Sequence, residues 1–334
     1  MVQSPPVQLT GSDSGISFSY TSDPIDELLG DDDVLALVSF GDSCDIDAPD
    51  GHIHCGLPSL KQTPVTEVWR TSAPIRKGGD ASLFWSETDE LLVVGVSVDE
   101  RLCPDFRAAI REAYRRLLQF TDDHACSNIV RMWSYIADIN LGDGELERYR
   151  QFCYGRHEAL AEMGFDQRQF PAACALGHSR QGNVIYLLAS KNPGVHFENP
   201  KQMSAYQYPS EYGPRSPSFA RATLAEWGGE RQLYLSGTAS ILGHQSVHPG
   251  DVLAQLETTC QNIDFLLAHI AEQLGEDCAP KLTMLKVYLR HHRDFDVVAE
   301  RVYSHFGEAV PTLFLKADIC REELLVEIDG LCLL

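Results

Sequence analysis

Apolar and polar residues follow two different periods along the chain, and these periods predict strands and helices in a repeated order. Short apolar runs at VLALVSF (34–40) and LLVVGVSV (91–98) predict buried strands. In PDFRAAIREAYRRLLQF (104–120), apolar residues recur every three or four positions, which predicts an amphipathic helix. A strand over 127–140, a helix over 145–164 and two further strands complete this first block.

The second half of the chain repeats this order of elements. The same periods predict a strand, a helix, a strand, a helix and two strands at residues 231–241, 251–275, 281–292, 294–307, 310–320 and 323–330. We interpret the repetition as an internal duplication of one α+β unit. Each unit is expected to be a mixed sheet with two helices packed on one face.

The predicted domains follow from this duplication. Residues 1–30 are rich in Ser, Pro, Asp and Gly, and we predict a flexible lead-in there. The N-terminal unit spans 31–195, with HIHCG (52–56) as a loop, and the C-terminal unit spans 231–334. The connector between them, residues 196–230, is rich in proline and aromatic residues. Its length and aromatic content favour a functional loop.

Composition narrows the class of protein and of ligand. The 334 residues are 44% hydrophobic and 22% charged, as in an ordinary globular protein, and the net charge is −21. That charge argues against a nucleic acid or an anionic membrane as partner. A small anionic ligand would need arginines placed locally against the overall charge.

Targeting and cysteine patterns predict a cytoplasmic protein. No apolar run approaches the ~20 residues of a membrane span, and the first residues lack the pattern of a secretory signal. None of the ten cysteines forms a CxxC pair, so they are interpreted as small core residues.

The stretch LLVEIDG (324–330) places two carboxylates within an apolar strand. Glu327 and Asp329 share one face, and the alternate residues are apolar. One interpretation is a half-buried strand with a wet acidic face, and the other is a carboxylate placed at a site. The corresponding strand of the first half, NVIYLLAS, has no carboxylate. A single site per chain is therefore expected, in the second half or between the halves.

Other motifs give weak or no support for further chemistry. HIHC (52–55) and the histidines at 244 and 248 lack the ligand spacing of a metal site. Neither GxGxxG, GxxxxGK[ST] nor GxSxG occurs, so nucleotide binding and a hydrolase triad have no support. We predict neither a metal nor a cofactor.

Two resemblances add a family to this picture. The last third, from LYLSGTASI through VYLRHHRDFDVVAERVYSHF to LLVEIDG, resembles the RidA (YjgF) family, but Thr312 stands where RidA imine deaminases place an arginine. Most of the chain is similar to the chorismatases, through ERYRQFCYGRHEAL (147–160), YGPRSPSFARA (212–222), YLSGTASILGH (234–244) and LKADICREELLVEIDG (315–330). This resemblance implies two RidA-like α/β domains and a cofactor-free enzyme that hydrolyses chorismate.

The chorismatase resemblance also implies roles for individual residues. Glu327 is expected to be the general acid that protonates the enolpyruvyl group. Cys320, seven positions earlier, is typical of the branch that releases 3-hydroxybenzoate rather than a dihydrodiol. Carboxylates of chorismate would be held by arginines, whose planar fork matches them. The expected substrate-binding residues are Arg148, Arg156, Tyr212, Arg215, Phe219, Arg221, Gly237, Thr238, Ala239 and Lys316.

Several alternatives remain open at the level of sequence. 4-Hydroxybenzoate is a second candidate product, because some relatives in pigment or quinone pathways make both. The chain could also form the dihydrodiol, or bind a metabolite without turnover as RidA-like proteins can. Whether Lys316 and Cys320 share the face of Glu327 depends on the turn between their strands. The oligomeric state is predicted to be monomer or trimer.

Overall fold

The chain folds into three large β-sheets that follow one another in sequence. The computed structural model describes residues 15–47, 51–61, 64–275 and 279–334. Within these residues the first sheet has five strands and the second and third have six each. Five α-helices accompany them, namely Ile25–Leu28 (α1), Phe106–Asp122 (α2), Arg148–Glu162 (α3), Val252–Leu274 (α4) and Phe295–Phe306 (α5).

The first sheet is built from residues that were partly expected to be irregular. Its strands are Ile16–Thr21 (β1), Val34–Phe40 (β2), Cys44–Asp47 (β3), His52–Cys55 (β4) and Val65–Thr71 (β5), in the spatial order β1-β5-β2-β4-β3. The flexible lead-in predicted for 1–30 is therefore corrected from Ile16 onward, because β1 pairs along its length with β5. Residues 1–14 lie outside the described part. The loop predicted at 52–56 contains β4, whose Ile53 and Cys55 are buried.

The second sheet has the predicted arrangement of one face covered by two helices. Its strands are Arg76–Asp80 (β6), Leu83–Glu87 (β7), Leu91–Ser97 (β8), Asn128–Ala137 (β9), Ala172–His178 (β10) and Val184–Ser190 (β11), in the order β10-β9-β11-β8-β7-β6. Apolar residues of α2 and α3, such as Leu117 and Phe152, pack on this face. Strand β10 is left at the edge of the sheet.

The third sheet begins inside the predicted connector. Its strands are Val195–Phe197 (β12), Ala222–Trp227 (β13), Glu230–Ala239 (β14), Lys281–Leu289 (β17), Thr312–Lys316 (β18) and Val326–Leu333 (β19), in the order β12-β13-β14-β19-β17-β18. The short pair Ile241–Leu242 (β15) and Gln245–Ser246 (β16) lies beside it. Helices α4 and α5 cover one face. The connector is thus only partly irregular, because its two ends supply strands.

The faces turned away from these helices form the central core. Trp69 of the first sheet, Trp133 and Tyr186 of the second and Tyr288 of the third belong to one buried cluster. The α+β class with two helices on each six-stranded sheet is confirmed. The separate first sheet was not predicted, and the domain boundaries stay a prediction. In the part of the chain described here, none of the helices has the length and apolar character needed to cross a membrane.

Candidate active site

A cavity opens where the second and third sheets meet. It encloses about 750 Å³ of empty space, part of which is open to solvent. Helix α3, strand β10, the loop before β13, strand β14 and the segment around β19 form its walls. The lining residues are Tyr149, Phe152, Cys153, Arg156, Ala173, Cys174, Ala175, Tyr208, Tyr212, Pro217, Ser218, Phe219, Arg221, Gly237, Ala239, Ile241, Cys320, Arg321 and Glu327.

One face of α3 supplies the helical wall. Tyr149, Phe152, Cys153 and Arg156 are spaced three, one and three residues apart, so a helix presents them on one side. A neighbouring side packs closely on α2, because a Cβ atom at Gly155 would lie 2.5 Å from the backbone oxygen of Arg107. The glycine therefore fixes how close the two helices lie.

The edge strand β10 is held to the third sheet by hydrogen bonds. The Ala172 backbone N–H donates to Thr223 Oγ1 (2.8 Å), and the Ala173 N–H donates to Ser236 Oγ (2.9 Å). Further along, the backbones of Gly177 and Asp318 pair in both directions at 2.7 and 2.8 Å. These bonds join the two sheets on either side of the cavity, which makes its walls one rigid unit.

Glu327 lies on β19, between β14 and β17 in the middle of the third sheet. Ala239 stands opposite Glu327 in β14, but two residues, Ser236 and Gly237, occupy the space opposite Asp329. This is a β-bulge. It brings Gly237 against the Glu327 side chain, where a Cβ atom would lie only 1.9 Å from Oε1. The bulge and the missing side chain together make room for the carboxyl group.

The surroundings of Glu327 favour its neutral, protonated form. Burial in the sheet is the main cause, and the negative charge of Asp329 adds to it, so the pKa of Glu327 is raised to about 8. Arg131 and Arg221 oppose this rise through their positive charge. At neutral pH the side chain is therefore a carboxylic acid able to donate a proton.

Three arginines line the same cavity without an ion-pair partner among the described carboxylates: Arg156, Arg221 and Arg321. The Arg221 Nη2 donates to the Met203 backbone oxygen (2.9 Å) and to Tyr208 Oη (2.8 Å). The Arg321 Nη1 donates to the His244 backbone oxygen (2.9 Å), and its guanidinium lies 3.8 Å from the centre of the Tyr212 ring.

Two of these arginines keep a buried donor without a hydrogen-bond partner. Within the described residues, the Nε atoms of Arg156 and Arg221 are buried and unpaired. Buried polar groups are nearly always hydrogen-bonded, so an unpaired donor on a residue that lines a cavity is available to a ligand. An anion with oxygen acceptors meets that requirement.

Three thiols also face the cavity. Burial raises the pKa of Cys153 and of Cys320 to about 12, and it raises that of Cys174 further. All three therefore stay neutral near pH 7, and none is a thiolate nucleophile. Cys320 lies in the loop after β18, which ends at Lys316. Because β17 separates β18 from β19, no hairpin turn sets the relation of Cys320 to Glu327.

The structure places most of the predicted site residues together, but four lie elsewhere. Arg148 donates to Glu100 at 2.6 and 3.0 Å, and Arg215 is exposed beside the Tyr154 ring. Thr238 points to the other face of β14, where its Oγ1 donates to the Ser236 oxygen (3.0 Å). Lys316 is half-exposed near Asp318. We remove these four from the candidate set.

Sequence reasoning missed other lining residues. Arg321, next to Cys320, is one, and Tyr149, Cys153 and Cys174 are others. Helical periodicity from Arg156 could have found Tyr149 and Cys153. No local pattern marks Arg321 or Cys174, because loop and edge-strand packing places them. The histidines of HIHC form no metal cluster with other described residues.

The fold and the cavity define a class of protein. A buried carboxylic acid and three arginines line one pocket whose other walls are mostly apolar, and this arrangement is typical of an enzyme acting on a small organic anion.

Comparison with known proteins identifies the family. Residues 67–189 match the model described as "Chorismatase FkbO/Hyg5-like, N-terminal". The chain is 35% identical to a 3-hydroxybenzoate synthase of Streptomyces hygroscopicus, over 89% of this chain and 91% of the relative. It is 34% identical to a chorismatase of the same organism, over 94% and 93%. A crystal structure of a chorismatase superposes with a TM-score of 0.87 at 32% identity, covering 96% of this chain and 98% of the other. The chain belongs to the chorismatase family.

Proposed function

We propose that the chain is a chorismatase that releases pyruvate from chorismate and forms 3-hydroxybenzoate. The observation that carries the proposal is Glu327, which is buried in the same cavity as Arg156, Arg221 and Arg321, where burial raises its pKa to about 8. Relatives named 3-hydroxybenzoate synthase and chorismatase support it. No cofactor is needed for the chemistry that follows.

The reaction begins with proton transfer from Glu327 to the enolpyruvyl methylene carbon. The carbon that bears the ether oxygen then becomes an oxocarbenium centre, and a water molecule adds to it. The Glu327 carboxylate takes up a proton from this water, which restores the acid. The resulting hemiketal transfers its hydroxyl proton to the ring oxygen, the bond between them breaks, and pyruvate leaves.

These steps break the bond between the ether oxygen and the pyruvyl carbon, so the ether oxygen stays on C3 of the ring. Loss of the C4 hydroxyl group and a ring hydrogen then releases one water and gives 3-hydroxybenzoate, so the net reaction consumes no water. If that loss does not occur, the dihydrodiol is the product. Cys320 lies in the cavity as a neutral thiol, and its presence favours the aromatic product. 4-Hydroxybenzoate would require cleavage on the ring side of the ether oxygen.

The arginines divide between two sides of the cavity. Arg156 comes from α3, whereas Arg221 and Arg321 come from loops next to strands of the third sheet. Chorismate has one carboxylate on the ring and one on the enolpyruvyl group, so two separated cationic sites match it. We propose that Arg156 binds one carboxylate and Arg221 with Arg321 the other.

The cellular setting of this activity is also a proposal. The described cysteines are free thiols, as is typical of a cytoplasmic protein.

The oligomeric state that we propose is a monomer. The three sheets already cover one another's inner faces in one chain, which favours that state.

The test is pyruvate release from chorismate by the purified protein, with chromatography of the ring product. Wild type should form pyruvate and 3-hydroxybenzoate in equal amounts. Glu327→Gln should bind chorismate but lose turnover, because its amide has no proton of suitable acidity. Binding without turnover in the wild type would support a metabolite-binding protein instead. Normal turnover in Glu327→Gln would refute the role of the acid.

A further inference from the structure

Four charged side chains lie buried where the three sheets meet. Arg131 of β9 and Asp329 of β19 form an ion pair of 2.8 Å, with side chains 1% and 2% exposed. Lys286 of β17 and Glu67 of β5 form a second pair of 3.0 Å. Each of the three sheets contributes at least one of these groups. We call them the core charge cluster.

Neutral groups hold the cluster in place. Tyr288 Oη donates to Asp329 Oδ2 (3.0 Å), and Trp69 Nε1 donates to Glu67 Oε1 (2.7 Å). The Arg131 guanidinium and the Lys286 ammonium lie 5.0 and 5.2 Å from the Trp133 ring centre. Two positive and two negative charges balance, so the cluster can persist in the core.

Asp329 connects this cluster to the candidate active site. It follows Glu327 by two residues on β19, so both carboxyl groups lie on the same face of a strand and both are buried. The other carboxylate of the cluster, Glu67, lies beyond Lys286 on the first sheet. Arg131 and Tyr288 fix the Asp329 carboxylate in place, because both donate hydrogen bonds to its Oδ2.

The other groups around Glu327 do not supply a negative charge. The charged or titratable groups that line its cavity, act on its charge or face Glu327 and Asp329 from the paired strands are Arg131, Tyr149, Cys153, Arg156, Cys174, Tyr208, Tyr212, Arg221, Lys286, Tyr288, Cys320, Arg321 and Asp329. The arginines and Lys286 are cations, which favour ionised Glu327. Burial raises the pKa of the three thiols and of Tyr149 and Tyr288, so these groups are neutral. Asp329 is therefore the carboxylate in this set that opposes the ionisation of Glu327.

We propose that Asp329 is a positioning residue that keeps Glu327 in its acid form between turnovers, with Arg131 and Tyr288 holding the Asp329 carboxylate in place. This inference rests on the proposed role of Glu327 as the proton donor. Without Asp329, the arginines at the cavity would draw Glu327 toward the carboxylate, which cannot protonate the substrate. The Arg131–Asp329 pair of the core charge cluster thus supports the chemistry as well as the packing of the sheets.

The experiment compares the pH dependence of kcat/KM for pyruvate release in matched variants. In wild type the activity should fall above about pH 8, where Glu327 ionises. In Asp329→Asn, the pH above which kcat/KM falls should be lower by about one unit or more. Glu67→Gln is the matched control, because it removes the other buried carboxylate of the cluster and should leave this pH near the wild-type value.

Asp329→Asn leaves Arg131 unpaired and could fail to fold, so a double variant accompanies it. Arg131→Gln with Asp329→Asn removes both charges, and it should also lower the pH above which kcat/KM falls, by a smaller amount. An unshifted profile in whichever of these two variants folds would overturn the inference, as would an equal shift in Glu67→Gln.

An infrared titration separates this inference from the proposed function. The carboxylic acid band of Glu327 is identified by its loss in Glu327→Gln, and its disappearance with pH reports ionisation without any substrate. A lower midpoint in the double variant than in wild type supports the inference even if chorismate is not turned over. An equal midpoint refutes the role of Asp329 even if the enzyme is a chorismatase.

Discussion

Replacing Gly237 with alanine should displace the Glu327 carboxyl group and so reduce turnover. The new Cβ atom would lie 1.9 Å from Glu327 Oε1 and 2.8 Å from Cδ. The carboxyl group must therefore move by at least about 1 Å to reach a tolerable contact. Cys174 Cβ, at 3.1 Å, restricts movement of the new methyl group itself. A 1 Å misplacement of a reacting group can cost about 100-fold in rate, and we expect a loss of kcat of that order.

The effect should be local, because the backbone at Gly237 does not have the positive φ that only glycine adopts easily. We expect a stability cost of about 1–3 kcal/mol for the added methyl group in a packed site. Gly41→Ala is the matched control, since no atom lies within 4 Å of its Cβ position and its φ is also ordinary. Pyruvate release and thermal unfolding would be measured for both. A folded Gly237→Ala enzyme with wild-type kcat would refute the placement of the acid.

Three further predictions concern the acid, the arginines and the product. Urea titrations should show Glu327→Gln gaining stability relative to wild type as the pH rises from about 5 to 8. The difference between their free energies of unfolding should grow by about 1.4 kcal/mol per pH unit. The reason is that Glu327 of folded wild type holds a proton that the unfolded chain releases, so only wild type loses this contribution; a difference that does not change with pH would contradict the raised pKa. Arg156→Met and Arg221→Met should each raise KM for chorismate at least about tenfold, whereas Arg148→Met should not. Equal effects would contradict the cavity assignment. Cys320→Ala should divert product toward the dihydrodiol, and an unchanged product ratio would remove Cys320 from that role.

The chorismatase resemblance, rather than strand alternation alone, led to Glu327 and to two residues of its pocket. Gly237 and Ala239 both face the cavity, while Thr238 between them faces away. That division follows from the two-residue period of a strand. The bulge in β14, which brings Gly237 against Glu327, has no comparable signal because it depends on pairing with β19.

Helical geometry could not have separated two of the predicted arginines. Eight residues at 100° each turn Arg156 by only 80° from Arg148, which is less than the 100° between Phe152 and Cys153, and both of these line the cavity. Arg148 is set apart by its ion pair with Glu100, which no local pattern shows. Local sequence patterns could not have predicted the separate first sheet or the position of the loop at Cys320. Strand β4 is four residues long and carries two histidines, and Cys320 is placed by the packing of its loop beside α3.

The arrangement of charges explains how a protein of net charge −21 can take a dianion. At physiological ionic strength the field of an exposed charge is screened over about 8 Å, so distant surface carboxylates contribute little inside the cavity. Many surface arginines are also paired, as Arg107 is with Glu158. Arg156 and Arg221 are instead buried and carry donors without a partner among the described residues, and a charged ligand gains most from such groups. Binding should therefore depend on these two side chains far more than on the net charge of the protein.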